Sequence, residues 1–176
     1  TKKKVDNTKL DGISAVDVGV LTIDANLIGT TGTIGANGIY LEAFDDAIVT
    51  GNTVIGAGDD GIFADGYNDM GHGKTLLIGN NSFSDLGENG ITANYVDSLE
   101  ISGNIITNAQ DDGIYAYLND IGSGTISGNI ISGLGFDGIH ATGFDHLAIT
   151  DNTISEVNEN GIFIKMTAIM LVFFFF

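Results

Sequence analysis

A set of outward-facing aromatic side chains is the part of this sequence best suited to binding a ligand. Each follows a recurring Gly-Ile pair, in a run where outward and inward residues alternate. The set comprises Tyr40, Phe63, Tyr115, Tyr117, His140 and Phe163. Because ring faces stack on sugars and the acidic and amide groups beside them bond hydroxyls, this set predicts a polysaccharide groove. The alternative is an aromatic stack that reinforces a sheet or meets another subunit.

A second set with its own chemistry is acidic and lies in the loop after the same Gly-Ile runs. Its candidate metal ligands are Asp45, Asp69, Asp97, Asp120 and Asp145. Carboxylates stacked about 5 Å apart on successive repeats repel one another. Two interpretations follow: solvated turns screened by salt, or Ca²⁺ held between repeats by carboxylates and backbone carbonyls. Ca²⁺ is therefore the one cofactor that the sequence suggests.

Both sets recur because the chain is a series of repeats. Each repeat has an apolar run, a Gly-Asn-like pair, a polar turn and then Asp-Gly-Ile or Asn-Gly-Ile, at steps of 23 to 29 residues. The anchor glycines are Gly12, Gly38, Gly61, Gly90, Gly113, Gly138 and Gly161. A period of this size predicts a solenoid, and the short alternating runs predict strands. We therefore expect an all-β, single-stranded parallel β-helix of about six to seven coils, with three short strands per coil.

An asparagine follows the apolar run in each repeat. These residues are Asn26, Asn52, Asn80, Asn104, Asn129 and Asn152. A buried amide must be hydrogen bonded, and stacking identical amides achieves this, so the sequence predicts an internal asparagine ladder. The Asp or Asn before each anchor glycine is interpreted instead as a turn residue, because both types and Gly tolerate positive φ.

The repeats of residues 11–165 resemble those of the right-handed parallel β-helix superfamily. Its members include pectate lyases, polygalacturonases, mannuronan epimerases, periplasmic copper-site assembly proteins and surface adhesins. The resemblance implies a right-handed coil. Because one scaffold carries all these activities, it does not by itself select a function.

Polygalacturonases of this superfamily use paired carboxylates near a Gly-His-Gly. Gly58-Asp59-Asp60 followed by Gly71-His72-Gly73 is similar, which implies Asp59 and Asp60 as acid and base with His72 as their helper. However, the chain has no Arg, and Asp-Asp-Gly-Ile recurs at residues 111–114, as expected of a repeat consensus. The sequence therefore favours no catalytic residue and leaves enzymatic activity open.

The composition restricts the partners. The 176 residues carry a net charge of −17 and contain no Cys. This charge disfavours nucleic acid and anionic membrane surfaces, and the absence of Cys excludes disulfides and thiolate metal sites. Divalent cations and cationic partners fit better.

The chain divides into three parts. Residues 1–10 hold four of the six lysines and are interpreted as a basic lead-in or N-terminal cap. Residues 11–165 form the β-helix, and the insertion at residues 65–75 is expected to extend a loop, often on the binding face. Residues 166–176 are apolar but shorter than the roughly 20 residues of a membrane span. They are interpreted as a final strand, a cap or a truncated segment.

These observations predict a non-catalytic structural or adhesive module outside the cell, which assembles end to end and binds Ca²⁺. The expected partner is a second copy of the chain or a polysaccharide. The alternative is a polysaccharide-processing enzyme (a hydrolase, lyase or epimerase) or a carbohydrate-binding module that uses the aromatic face.

Overall fold

The computed structural model describes residues 3–30, 32–67, 71 and 73–166, apart from the side chains of residues 120 and 121. The described residues form sixteen strands and no helix. The strands are β1 Lys4–Val5, β2 Ile13–Asp24, β3 Leu27–Ile28, β4 Ile39–Thr50, β5 Thr53–Ile55, β6 Ile62–Asp65, β7 Gly73–Gly79, β8 Ser82–Leu86, β9 Ile91–Asn94, β10 Val96–Ser102, β11 Ile105–Ala109, β12 Ile114–Ser127, β13 Ile130–Leu134, β14 Ile139–Thr150, β15 Thr153–Val157 and β16 Ile162–Lys165. His72 and residues 167–176 lie outside the described residues.

All strand pairing is parallel and joins one coil to the next. One sheet has seven strands in the order β1-β3-β5-β8-β11-β13-β15, and the other sheet has nine. Equivalent repeat positions pair directly, as in Ile39 with Ile62 and Ile91 with Ile114. The predicted all-β parallel solenoid is therefore confirmed, with about six turns.

The strands are longer than the three short runs per coil that the sequence predicts. The strands β2, β4, β12 and β14 have 12 to 14 residues and continue through a corner into a second face. A residue with positive φ makes this corner, such as Ala43 at 54° or Gly143 at 68°. In the other two coils the same path is divided, into β6 and β7 around the insertion and into β9 and β10 at Tyr95.

The core is a narrow stack of aliphatic side chains. The isoleucine after the anchor glycine is fully buried in the five central coils, at Ile39, Ile62, Ile91, Ile114 and Ile139. Phe44, Phe83 and Phe144 are the largest of the fully buried side chains. Removing these stacked apolar surfaces from water drives the coils together, since no single coil can bury its own face.

All the anchor glycines except Gly161 are needed for close packing and not for positive φ, which corrects the turn interpretation. None of them has positive φ. A Cβ at Gly90 would lie 2.4 Å from the carbonyl oxygen of Gly113 and 2.5 Å from Cγ2 of Ile106. The backbone of the next coil therefore approaches too closely for any side chain here.

Residues 4–8 belong to the solenoid. The strand β1 pairs with β3, and Thr8 bridges to Ile34. The repeat therefore begins before Asp11, and part of the basic lead-in supplies the first strand of the seven-stranded sheet. Within the described part of the chain, no helix has the length and apolarity needed to cross a membrane.

Candidate functional site

An open groove of about 850 Å³ runs along the outside of the solenoid. Three rows of side chains line it. The aromatic row contains Tyr40, Phe63, Thr92, Tyr115, His140 and Phe163; the Asx row contains Asn37, Asp60, Asn89, Asp112, Asp137 and Asn160; the outer row contains Asp59, Glu88, Asp111, Phe136 and Glu159. The rows are parallel to the solenoid axis because each coil contributes one residue to each row.

The aromatic row consists of two stacks separated by a threonine. Tyr40 and Phe63 stack with ring centroids 5.3 Å apart and planes 6° from parallel. The second stack joins Tyr115 to His140 at 5.1 Å and His140 to Phe163 at 4.7 Å. Thr92 pairs with Phe63 on one side and Tyr115 on the other. We call the interval between these two rings the Thr92 gap.

Five of the six predicted aromatic-face residues therefore line the groove, and Tyr117 does not. Its neighbours in register are Asn94 and Thr142, one outward position further along each strand. Its hydroxyl donates to Asn119 Oδ1 at 2.8 Å, and its ring meets the Tyr95 ring edge-on at 5.3 Å. Tyr117 lines an adjoining depression of about 530 Å³, which shares Tyr115, His140 and Phe163 with the groove.

The Asx row is a hydrogen-bonded ladder, which the sequence interpretation missed. Asp60 Oδ1 accepts the backbone N–H of Asn89 at 2.8 Å, and Asn89 Oδ1 accepts that of Asp112 at 2.9 Å. Asp112 and Asp137 repeat the pattern one and two coils on. Each of these residues directly precedes an anchor glycine. This regularity could have predicted the ladder, as the regular spacing of the asparagine column predicted the other one.

Asp60 is the most perturbed carboxyl of the groove. It is 2% exposed, and burial raises its pKa to about 6. Hydrogen bonds from Thr92 and from Asn89 oppose that shift. Asp59 precedes it in the outer row, so the structure places both candidate acid and base residues in the groove. Their proposed helper, His72, lies outside the described residues.

The groove is strongly acidic. Burial raises the pKa of Glu88, and the nearby carboxylates of Asp59 and Asp111 raise it further. Burial also raises the pKa of Asp112, against the backbone N–H of Asp137 and the charge of His140. None of the described residues that line the groove is Lys or Arg. The groove therefore repels polyanions and suits neutral or positively charged ligands.

Asp112, Asp137 and His140 form a compact cluster on the groove wall. His140 Nδ1 lies 3.5 Å from Asp112 Oδ2 and 3.4 Å from Asp137 Oδ2. One candidate ligand atom from each residue lies within 4.8 Å of the other two. Among the described residues this is the one group of three or more His, Cys, Asp or Glu side chains with metal-binding proximity.

The described members of the predicted acidic column, Asp45, Asp97 and Asp145, do not form a stack of carboxylates. Asp45 Oδ2 lies 3.6 Å from Lys74 Nζ, and the neighbouring pairs place Asp97 opposite Lys74. Asp145 is the extra residue of a bulge, 3.7 Å from His146 Nε2. Asp69 lies outside the described residues, as does the side chain of Asp120. The sequence interpretation overlooked that the insertion brings a lysine between two of the aspartates.

The asparagine ladder exists, but its third member is Asn81 and not Asn80. Asn52 Nδ2 donates to Asn81 Oδ1, and Asn81 Nδ2 donates to Asn104 Oδ1, each at 3.0 Å. The ladder comprises Asn26, Asn52, Asn81, Asn104, Asn129 and Asn152. Asn80 has φ of 55° and takes the turn position that Gly51, Gly103 and Gly128 occupy in other coils. The Gly79-Asn80 pair imitates the consensus one residue early.

Comparison with known proteins agrees with this architecture. Residues 37–173 match the family model described as the right-handed beta helix region. Neither the curated proteins nor the solved structures yielded a match. The matched region covers most of the chain and contains every residue that lines the groove. The chain therefore belongs to the right-handed β-helix family.

Proposed function

We propose that this protein is a non-catalytic adhesive module that binds a neutral or positively charged polysaccharide in the groove. The main support for this function is that rings and carboxylates line the groove in parallel rows over several coils. A polymer of repeating units suits a surface that itself repeats. Stacking on rings and hydrogen bonding to carboxylates and amides are complementary ways to hold a sugar.

The Thr92 gap is the proposed central sugar site. The near-parallel stacking of Phe63 on Tyr40 turns the other face of Phe63 along the row, toward Thr92. Phe63 and Tyr115 are two coils apart, which corresponds to about 10 Å at the usual strand spacing. We propose that one saccharide ring binds in this interval, with Thr92, which is only 5% exposed, as the floor of the site. Asp60 and Asp112 border it and can accept hydrogen bonds from hydroxyl or ammonium groups.

Asn94 supports this location. Its Oδ1 atom is buried and has no hydrogen-bond partner. Asn94 lines the groove in the same coil as Thr92, two residues further along β9. A buried acceptor without a partner costs free energy, so rotation of this side chain to meet a ligand hydroxyl in the groove would be favourable.

Charge narrows the ligand class. Seven carboxylates line the groove: Asp59, Asp60, Glu88, Asp111, Asp112, Asp137 and Glu159. Uronate and sulfate polymers would meet like charge along the whole groove. We therefore expect uncharged glucans or mannans, or polymers of amino sugars, to bind and acidic glycans to be rejected.

A glycoside hydrolase is the second candidate, favoured by the raised pKa of Asp60. A carboxyl with a pKa of about 6 can hold a proton near neutral pH and donate it to a glycosidic oxygen. The other groove carboxylates then supply the base candidates. Turnover of a polymer that binds, lost in Asp60→Asn, would establish this function in place of the non-catalytic one.

We also propose that the protein lies outside the cell and that its copies associate end to end. The opposite charges of the lysine-rich first residues and the acidic coils support that association. Light scattering with Ca²⁺ added and then chelated tests it. A monomer at high concentration under both conditions would remove self-assembly from the account without affecting the groove.

The test of binding is a titration of the whole chain with soluble neutral, cationic and anionic polysaccharides. Tyr115→Ala removes one side of the Thr92 gap, and Tyr67→Ala removes an exposed ring that does not line the groove. We expect Tyr115→Ala to weaken binding at least tenfold and Tyr67→Ala to leave it unchanged. No binding by the parent protein, or equal loss in both variants, would reject the groove as the site.

A further inference from the structure

We propose that Asp112, Asp137 and His140 bind one divalent transition-metal ion of the Zn²⁺ class in the wall of the groove. Metal binding here does not require a polysaccharide, although all three residues also line the proposed polysaccharide groove. Its three donor atoms are Asp112 Oδ2, Asp137 Oδ2 and His140 Nδ1.

Two of the three donor separations fit a tetrahedral ion. Bonds of about 2.0–2.2 Å from Zn²⁺ to nitrogen and oxygen give edges of about 3.3–3.5 Å between ligand atoms in a tetrahedron. The two measured separations from His140 Nδ1 are 3.5 and 3.4 Å. Both edges are therefore already of the required length.

The donors are held in place by the ladder and the aromatic row. Asp112 Oδ1 accepts the backbone N–H of Asp137 at 2.8 Å, and Asp137 Oδ1 accepts the backbone N–H of Asn160 at 2.7 Å. Asn160 Nδ2 also donates to Asp137 Oδ1 at 2.8 Å. Each carboxylate thus has one oxygen engaged by the backbone and leaves the other on the side of His140. Such outer contacts orient metal ligands and sharpen affinity.

The ring of His140 is also restrained. It lies between Tyr115 at 5.1 Å and Phe163 at 4.7 Å, measured between ring centroids. Its side chain is 28% exposed, whereas those of Asp112 and Asp137 are 11% and 6% exposed. The cluster is therefore fixed on its inner side and open toward the groove, which leaves a coordination position for water or a ligand hydroxyl.

The donor types select the metal. Ca²⁺ prefers six to eight oxygen ligands, whereas imidazole with carboxylates suits Zn²⁺ and its neighbours in the first transition row. Two oxygens and one nitrogen are too few and of the wrong type for a Ca²⁺ site. This assignment differs in both metal and location from the acidic loop column considered for Ca²⁺.

The experiment is a titration of the chelator-treated full chain with Zn²⁺, followed by calorimetry, and with Co²⁺, followed by its visible absorption. We expect one Zn²⁺ per chain, an intense tetrahedral-type Co²⁺ spectrum, and no displacement of Zn²⁺ by excess Ca²⁺. His140→Gln should reduce Zn²⁺ affinity at least 100-fold. His146→Gln, which changes an exposed histidine beside Asp145, is the matched control and should bind normally.

The absence of stoichiometric binding would overturn the proposal, as would unchanged affinity in His140→Gln or equal loss in both variants. Circular dichroism and melting curves of each variant establish that it is folded. If His140→Gln does not fold, the imidazole resonances of the parent protein decide the question. One equivalent of Zn²⁺ should shift the signals of His140 and leave those of His146 in place; the converse would reject the site.

Discussion

The carboxylate of Asp60 accepts the backbone N–H of Asn89, one coil further on, at 2.8 Å. The neighbouring coils place Asn37 and Asn89 at the same position of the Asx ladder. The ladder therefore needs an acceptor oxygen at this position and not a charge. Asp60 keeps a carboxylate in a site that is 2% exposed, which raises its pKa to about 6 from 3.8.

Asp60→Asn is expected to stabilise the protein at high pH. The folded state binds the Asp60 proton more tightly than the unfolded chain, so this group stabilises fully below about pH 4, and the contribution is lost as pH rises to about 6. At about 1.4 kcal/mol per pH unit, the lost contribution is at most a few kcal/mol. Asn keeps the acceptor oxygen and carries no charge, so it avoids that loss.

Urea unfolding of both proteins at pH 4 and pH 8 measures this effect. The variant should equal the parent at pH 4 and exceed it by about 2 kcal/mol at pH 8. Asp97→Asn, at an exposed site, should follow the parent at both values. A stability difference between Asp60→Asn and the parent that does not change with pH would contradict the assignment.

Asn104→Leu tests the internal asparagine ladder. Its Oδ1 accepts both the backbone and side-chain N–H of Asn81, and its Nδ2 donates to Ile78 and Asn129. Leucine leaves these buried groups unpaired, so we expect a loss of about 3 kcal/mol in the free energy of unfolding. Asn158→Leu, at an exposed turn, should change it by less than about 0.5 kcal/mol. Similar losses of stability in the two variants would contradict a specific stabilising role for the ladder.

Gly90→Ala tests the close approach of successive coils. The added methyl group would meet a backbone carbonyl and a buried isoleucine, neither of which can move away freely. We expect a loss of at least about 2 kcal/mol, typical of overpacking in a core. Gly19→Ala has open space around its Cβ and no positive φ, so it should be neutral or slightly stabilising. Thermal melts of the pair measure the contrast.

The sequence predicted the architecture because a stacked fold repeats its constraints. Each coil must bury the same isoleucine and satisfy the same turn, so the pattern appears several times and single exceptions do not hide it. The same regularity explains the one misplaced ladder residue. Asparagine tolerates positive φ better than most residues other than glycine, so Gly79-Asn80-Asn81 contained two acceptable alignments. Only the hydrogen bonds distinguish them.

The site was harder to predict than the fold, because its features depend on departures from the repeat. The insertion brings Lys74 beside Asp45, which no column alignment could show. The cluster combines Asp112 and Asp137, which occupy the Asx row in adjacent coils, with His140 of the aromatic row. The sequence shows that Thr92 interrupts the aromatic row. Whether this interruption can bind a sugar depends on which faces of Phe63 and Tyr115 are exposed to it.

The affinity of Thr92→Phe for the polysaccharide that the parent binds best tests whether the groove binds polysaccharide at the Thr92 gap. Phenylalanine completes the aromatic row and fills the gap, so we predict at least a tenfold loss of affinity. Thr92→Val removes the hydroxyl but not the space and should retain most of the binding. Full affinity in Thr92→Phe, with the variant shown to be folded, would contradict the claim.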